Sequence, residues 1–275
     1  MLLMAGMMTL AGLWSLASYQ TPGDVRAFYG WGRTRHGDLW LPKGKGPFPV
    51  AILIHGGCWR SAQGVSESLN PLADDLRRRG IAVWNLEYRG INQAHFPATF
   101  DDVAAGTDKL RDLAKRYQLD LSHVVAVGHS AGGHLALWLA ARRAIAPTSP
   151  LYRPDPVALK AVVSLGGPPD LEANKTALAA CGSDAMAQLT GEAAGRPDPY
   201  ADTSPARLPQ PAIPTTLISG GSDDVVPPDL VEAYAVRVGG GAERVVVPGS
   251  GHIDLITAGA PGWAQAVAAI QQGLR

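Results

Sequence analysis

Little of this chain is charged, and what charge it has is balanced. Of its 275 residues 17% are Asp, Glu, Lys or Arg, with 24 basic residues against 24 acidic ones and a formal net charge of zero. There is no basic arm or charge block. That excludes the electrostatic footprint of a nucleic-acid binder and any long-range pull on strongly charged substrates. Cysteine is nearly missing as well: Cys58 and Cys181 are the whole complement, too few for a disulfide framework or a structural zinc site. One bridge is arithmetically possible, but nothing in the spacing infers it, and both residues are read as small packing side chains. Repeats, heptads and low-complexity linkers are also absent, so one domain is expected over residues 24–275.

Long apolar runs are scarce too. The exception is the start, MLLMAGMMTLAGLWSLA, which is uncharged over seventeen residues. Its length suits a secretory signal, and Ser15-Leu16-Ala17 resembles a small-x-small cleavage site, yet no Lys or Arg precedes Arg26 to supply a basic n-region. Residues 1–23 are read as an export segment, giving a periplasmic or secreted protein in preference to a cytoplasmic one. The run is short for a membrane span and carries Gly and Ser, so no stable span is expected. Oligomeric state leaves no mark on the sequence.

What is present is an apolar fraction of 46% on a chain long enough to bury a large core. Residues 24–41 read as an antiparallel hairpin. Beyond them, short apolar runs alternate with helical patterns. Strands are expected at 50–54, 81–88, 123–127, 159–165, 215–219 and 244–247. Helices are expected at 66–79, 100–117, 131–144, 228–238 and 261–273. The alternation implies an α/β fold: a mostly parallel central sheet flanked by helices on both faces, with ligands at the carboxyl ends of the strands. A Pro-, Gly- and Ala-rich stretch at about 168–211 is expected to form a lid-like insertion.

The polar motifs fall at those strand ends. Gly128-His129-Ser130-Ala131-Gly132 matches G-x-S-x-G between the strand HVVAV and the helix AGGHLALWLAARR. At such a turn the serine is lifted above the sheet, and its neighbours two residues away must be glycine to avoid strand and helix. Ser130 is therefore the expected nucleophile, and His129 and His134 are read as structural. His55-Gly56-Gly57-Cys58-Trp59 follows the strand VAILI. Main-chain amides in a glycine-rich turn can meet a developing oxyanion without reorganising, so Gly57, Cys58 and Ala131 are the expected donors. The base must be a histidine late in the chain. Only His252, in PGSGH after the last strand, satisfies the order serine, acid, histidine. Two aspartates compete as its partner, and the register G-x-x-D-x-x-V-P selects Asp223 over Asp224, with Asp198 and Asp202 as weaker rivals.

With those residues placed, the chain resembles the esterase/lipase branch of the α/β-hydrolase superfamily. It is most similar to kynurenine formamidase (arylformamidase)-like and bacterial acetylxylan/feruloyl esterase-like hydrolases. The stretches that carry the resemblance are HGGCWR, WNLEYRG, FPATFDDV, GHSAGGHLALWLAAR, GGSDDVVPP and PGSGHIDLI. It implies a Ser130–Asp223–His252 triad working through an acyl-enzyme, with no metal and no cofactor. It also implies structural roles for Glu87 and Arg89 as an internal ion pair. The substrate implied is a small-molecule ester or amide. Small acyl or aryl esters come first, N-formylkynurenine or a similar formamide is the alternative, and a noncatalytic hydrolase-like binding protein is the remote one. Trp59 and Phe96 are candidates to shape the pocket, with plain packing an equal alternative.

Overall fold

The computed structural model describes residues 22–62, 65–209, 212–238 and 241–275. The apolar start read as an export segment lies outside them, apart from Pro22 and Gly23. Among the described residues eight strands form one sheet. They are β1 (Val25–Phe28), β2 (His36–Trp40), β3 (Phe48–Ile54), β4 (Ala82–Leu86), β5 (Leu119–His129), β6 (Ala161–Leu165), β7 (Thr215–Gly220) and β8 (Glu243–Val247). Their order across the sheet is β1-β2-β4-β3-β5-β6-β7-β8. β1 pairs antiparallel with β2, and β2 with β4; every other pairing is parallel. The expected hairpin and parallel sheet are both present.

Helices α1 (Asn70–Arg78), α2 (Ala98–Asp108), α3 (Leu110–Tyr117), α4 (Ala131–Ala141), α5 (Ala185–Thr190), α6 (Pro228–Val238) and α7 (Pro261–Gly273) fill the connections. Strand alternation explains how they divide. Val50, Ile52 and Ile54 of β3 face a core built with Phe100, Val103, Leu135, Trp138 and Val231. Ala51 and Leu53 face the other way, onto Leu72 and Leu76 of α1 and Trp263 and Ile270 of α7. Both faces of the central strands are thus buried, which is why those strands read as unbroken apolar runs. The single helix expected over 100–117 is interrupted at Lys109. The carbonyl of Gly106, the acceptor four residues before Leu110, receives the indole N–H of Trp84 at 2.9 Å, so a sheet side chain competes with the helical ladder there.

Glu87 and Arg89 do not pair with each other. Arg89 forks both carboxylate oxygens of Asp102 at 2.7 and 2.8 Å, and Arg35 reaches the same fully buried aspartate at 3.0 Å. Glu87 instead meets His55 at 3.0 Å. Two residues apart and just past the end of β4, the two side chains leave in different directions, each toward its own partner.

Candidate active site

β5 ends at His129 and α4 starts at Ala131, so Ser130 alone makes the turn, with φ 54° and ψ −122°. A non-glycine residue pays for a left-handed φ and keeps it only where its surroundings impose it. Here the Ser130 amide donates to Leu165 O at 2.8 Å and its carbonyl accepts from His134 N at 3.1 Å. The flanking glycines are required by contact. A Cβ on Gly128 would lie 1.9 Å from Gly132 O, and one on Gly132 would lie 2.0 Å from Ile54 O. Strand, turn and helix approach too closely for any side chain at either position.

Two adjacent strands, β7 and β8, deliver the acid and the base to the same end of the sheet. Asp223 follows β7, and its side chain is fully buried. Its Oδ1 accepts from the amides of Val225 and Val226, each at 2.9 Å, and its Oδ2 receives His252 Nδ1 at 2.7 Å. With Nδ1–H committed to a carboxylate, Nε2 is left as the nitrogen able to accept a proton. His252 comes from the loop after β8 and is held from below by His129. The His129 Nε2–H donates to the His252 carbonyl at 3.0 Å, and the two rings lie 4.5 Å apart. Burial and the neighbouring His252 push the His129 imidazole down to about 3, so it stays neutral and keeps the tautomer that makes this bond. Asp224 is exposed. Asp198 pairs with Arg207 at 2.9 Å and Asp202 with Arg196 at 2.8 Å.

The loop after β3 crosses the serine, and a Cβ on Gly56 would sit 3.0 Å from Ser130 Cβ. Gly57, Cys58 and Trp59 are consecutive left-handed residues, with φ of 94°, 55° and 53°, and Arg60 N closes the turn on Gly57 O at 2.9 Å. Beside it opens a small apolar pocket whose lining includes Cys58, Trp59, Ser130, Ala131, Leu178 and Val226. Trp59 is held there by its indole N–H, which donates to His134 Nδ1 at 3.1 Å. His134 Nε2–H in turn donates to Thr203 O at 2.9 Å. Burial lowers the His134 imidazole to about 4, leaving Nδ1 free to accept. Phe96 lies elsewhere, under the Arg196 guanidinium at 4.4 Å and edge-on to Phe100 at 6.4 Å.

Cys58 and Cys181 are not independent packing residues; they form a disulfide across 123 positions, with their Cα atoms 5.3 Å apart. The bridge ties the loop over Ser130 to the turn Ala177–Cys181, and both cysteines line the cavity. An even cysteine count beside an export-like leader was the available signal, but only the fold brings the two positions together.

A mostly parallel sheet with a strained serine at a strand–helix turn and an Asp–His pair at the ends of two adjacent strands further along it defines the α/β-hydrolase class. The BD-FAE family model matches residues 38–235, and the chain belongs to that family. A curated protein named Esterase from Gibberella moniliformis is 32% identical over 92 residues. That match takes in 33% of this chain and 28% of the fungal protein's length. Among solved structures, esterase B from Lactobacillus rhamnosis superposes with TM-score 0.79 at 18% identity, covering 96% of this chain and 90% of that one. A bacterial heroin esterase gives TM-score 0.76 at 24% identity, covering 96% and 89%. A truncated carbohydrate esterase from gut microbiota gives 0.73 at 22%, covering 92% and 96%. These chains share the α/β-hydrolase fold with this one, and each is named an esterase.

Proposed function

We propose that this protein is a serine esterase that cleaves small acyl or aryl carboxylic esters through an acyl-enzyme. The observation that carries the reading is Ser130 in its left-handed turn at the sheet edge where His252 and Asp223 bond at 2.7 Å. The name shared by the fungal relative and the structural neighbours supports it.

His252 Nε2 takes the proton of Ser130 Oγ as the hydroxyl attacks the ester carbonyl, and Asp223 stabilises the imidazolium that forms. The amides of Ala131, Gly57 and Cys58 receive the oxyanion. Ala131 opens α4, where the first helical N–H groups have no partner within the helix and the dipole favours negative charge. Collapse of the tetrahedral intermediate passes the proton from His252 to the departing alkoxide and leaves the acyl group on Ser130. Water, deprotonated by the same histidine, then releases the acid. The apolar cavity beside Ser130 suits the acyl group, and residues 168–211 act as its cap. Consistent with that role, the cap is bonded to α4 through Trp138 Nε1–H to Asp202 O at 2.8 Å and His134 Nε2–H to Thr203 O at 2.9 Å.

Ser130→Ala is expected to abolish turnover of p-nitrophenyl acetate and labelling by a fluorophosphonate probe, with the circular dichroism spectrum unchanged. Undiminished turnover in that variant sinks the assignment. Rates on acetyl, feruloyl and formamide substrates side by side sort esters from formamides.

A further inference from the structure

The stretch Trp84-Asn85-Leu86-Glu87-Tyr88-Arg89-Gly90 takes no part in the proposed chemistry, yet its carboxylate is buried directly beneath the loop that crosses Ser130. Glu87 is 4% exposed. Its Oε1 receives His55 Nε2 at 3.0 Å, Ser61 Oγ at 3.0 Å and its neighbour's amide, Tyr88 N, at 2.9 Å. His55 and Ser61 bracket the oxyanion loop, so one carboxylate moors both ends. The segment around it tightens the mooring. Asn92 exchanges two bonds with the Ser61 backbone, at 3.0 and 2.9 Å, and Ile91 N donates to Trp59 O at 2.8 Å. Tyr88 stacks on the His55 ring at 4.2 Å and donates its hydroxyl to His55 O at 3.0 Å.

The other nitrogen of His55 supplies the link to chemistry. Nδ1 faces Gly56 O at 2.8 Å, so both ring nitrogens confront acceptors, and the ring satisfies both only as an imidazolium. Burial opposes a charge on His55, but Glu87 overcomes that and holds its pKa above the ordinary value, with the more distant Glu67 adding to the effect. Burial likewise resists the charge on Glu87, yet the His55 contact brings its carboxyl down to about 2. The Gly56–Gly57 peptide is planar and trans, so tying its carbonyl toward His55 turns its N–H, that of Gly57, the opposite way. We infer that Glu87 is a positioning residue: through His55 it fixes the Gly56–Gly57 peptide and so aims the Gly57 amide at the oxyanion. This rests on the serine-esterase reading.

An amide aimed at the oxyanion contributes in the transition state rather than in substrate binding, so its misplacement lowers kcat and spares KM. Glu87→Leu is expected to reduce kcat on p-nitrophenyl acetate about 10- to 100-fold, with KM within about twofold. Glu87→Gln, which keeps an acceptor and can donate to a neutral His55, is expected to recover most of the rate. A folded Glu87→Leu protein with unchanged kcat, or with KM alone raised, overturns the inference. If Glu87→Leu does not fold, nitrogen NMR of the histidine rings in the wild-type chain decides. A doubly protonated imidazole persisting above the ordinary histidine range and lost in Glu87→Gln is expected, and its absence overturns the inference. A wild-type chain inactive on every ester would instead sink the esterase reading, and the ring protonation would still report whether Glu87 keeps His55 charged.

Discussion

Asp223 and Asp224 are adjacent, equally charged and equally able to orient an imidazole. What separates them is which way each leaves β7. Asp223 turns inward, where two backbone amides and His252 saturate its oxygens, while Asp224 points to solvent. Asp223→Asn should lower kcat by about 10⁴, as the wrong histidine tautomer is then favoured. Asp224→Asn should stay within about twofold, as surface substitutions usually do. Steady-state kinetics on the two variants checks both, and the reverse pattern would transfer the role to Asp224. At this scale the sequence was informative, because the spacing G-x-x-D-x-x-V-P is a local register that fold geometry reads directly. It misplaced Glu87, pairing it with the nearby Arg89, whereas its partner His55 stands 32 positions away and is chosen by strand order.

Among the elements, the loop over Ser130 and the turn Ala177–Cys181 depend on each other. Neither is a long helix or strand with its own ladder, and the disulfide between Cys58 and Cys181 joins them at the cavity wall. In the chain-entropy account a bridge closing a loop of this length contributes up to about 5 kcal/mol by restricting the unfolded chain. Dithiothreitol, or Cys58→Ser with Cys181→Ser, should therefore lower the melting temperature and also reduce kcat/KM, because the loop carrying two proposed oxyanion amides loses its tether. Thermal melts and ester kinetics with and without reductant test this. Equal values in both states would show that the remaining contacts hold the loop unaided. The break between α2 and α3 has a similar origin, since Trp84 reaches Gly106 from the sheet, and a helical periodicity carries no trace of such a contact.

Over the whole molecule, the buried histidines tie the fold to pH. His129 and His134 are held neutral, at about 3 and about 4, and return to about 6.5 when unfolded. Between those values the unfolded chain binds more protons. Their stabilisation is thus complete above about pH 6.5 and is lost as the pH falls, by about 2 kcal/mol for each ring down to about pH 5. Glu87 adds a second loss further down, as the pH drops from its ordinary 4.5 through about 2. His55 acts in the opposite sense, favouring the fold below about 6.5 and ceasing to as the pH rises through its elevated pKa. Urea unfolding midpoints should fall steeply between about pH 6.5 and 5. His134→Gln, which can still accept from Trp59 and donate to Thr203, should remove about half of that slope. A flat profile in the wild-type chain would contradict the assignment of two buried neutral rings.

The alternation of strands and helices, apart from the break at Lys109 and the short helix Ala185–Thr190, was determined by the sequence alone, as were the turn at Ser130, the loop beginning at His55 and the position of His252. Each rests on local physics: apolar periodicity, glycine where chains touch, and a histidine placed after the final strand. The tertiary structure decided the pairings: Cys58 with Cys181, Glu87 with His55, Arg89 with Asp102, and His134 between Trp59 and Thr203. Those partners are separated along the chain by as few as 13 positions and as many as 123. Only the stacking of strands in the order β4-β3-β5-β6 sets the distances between them, and that order is a property of the packed sheet rather than of any one segment.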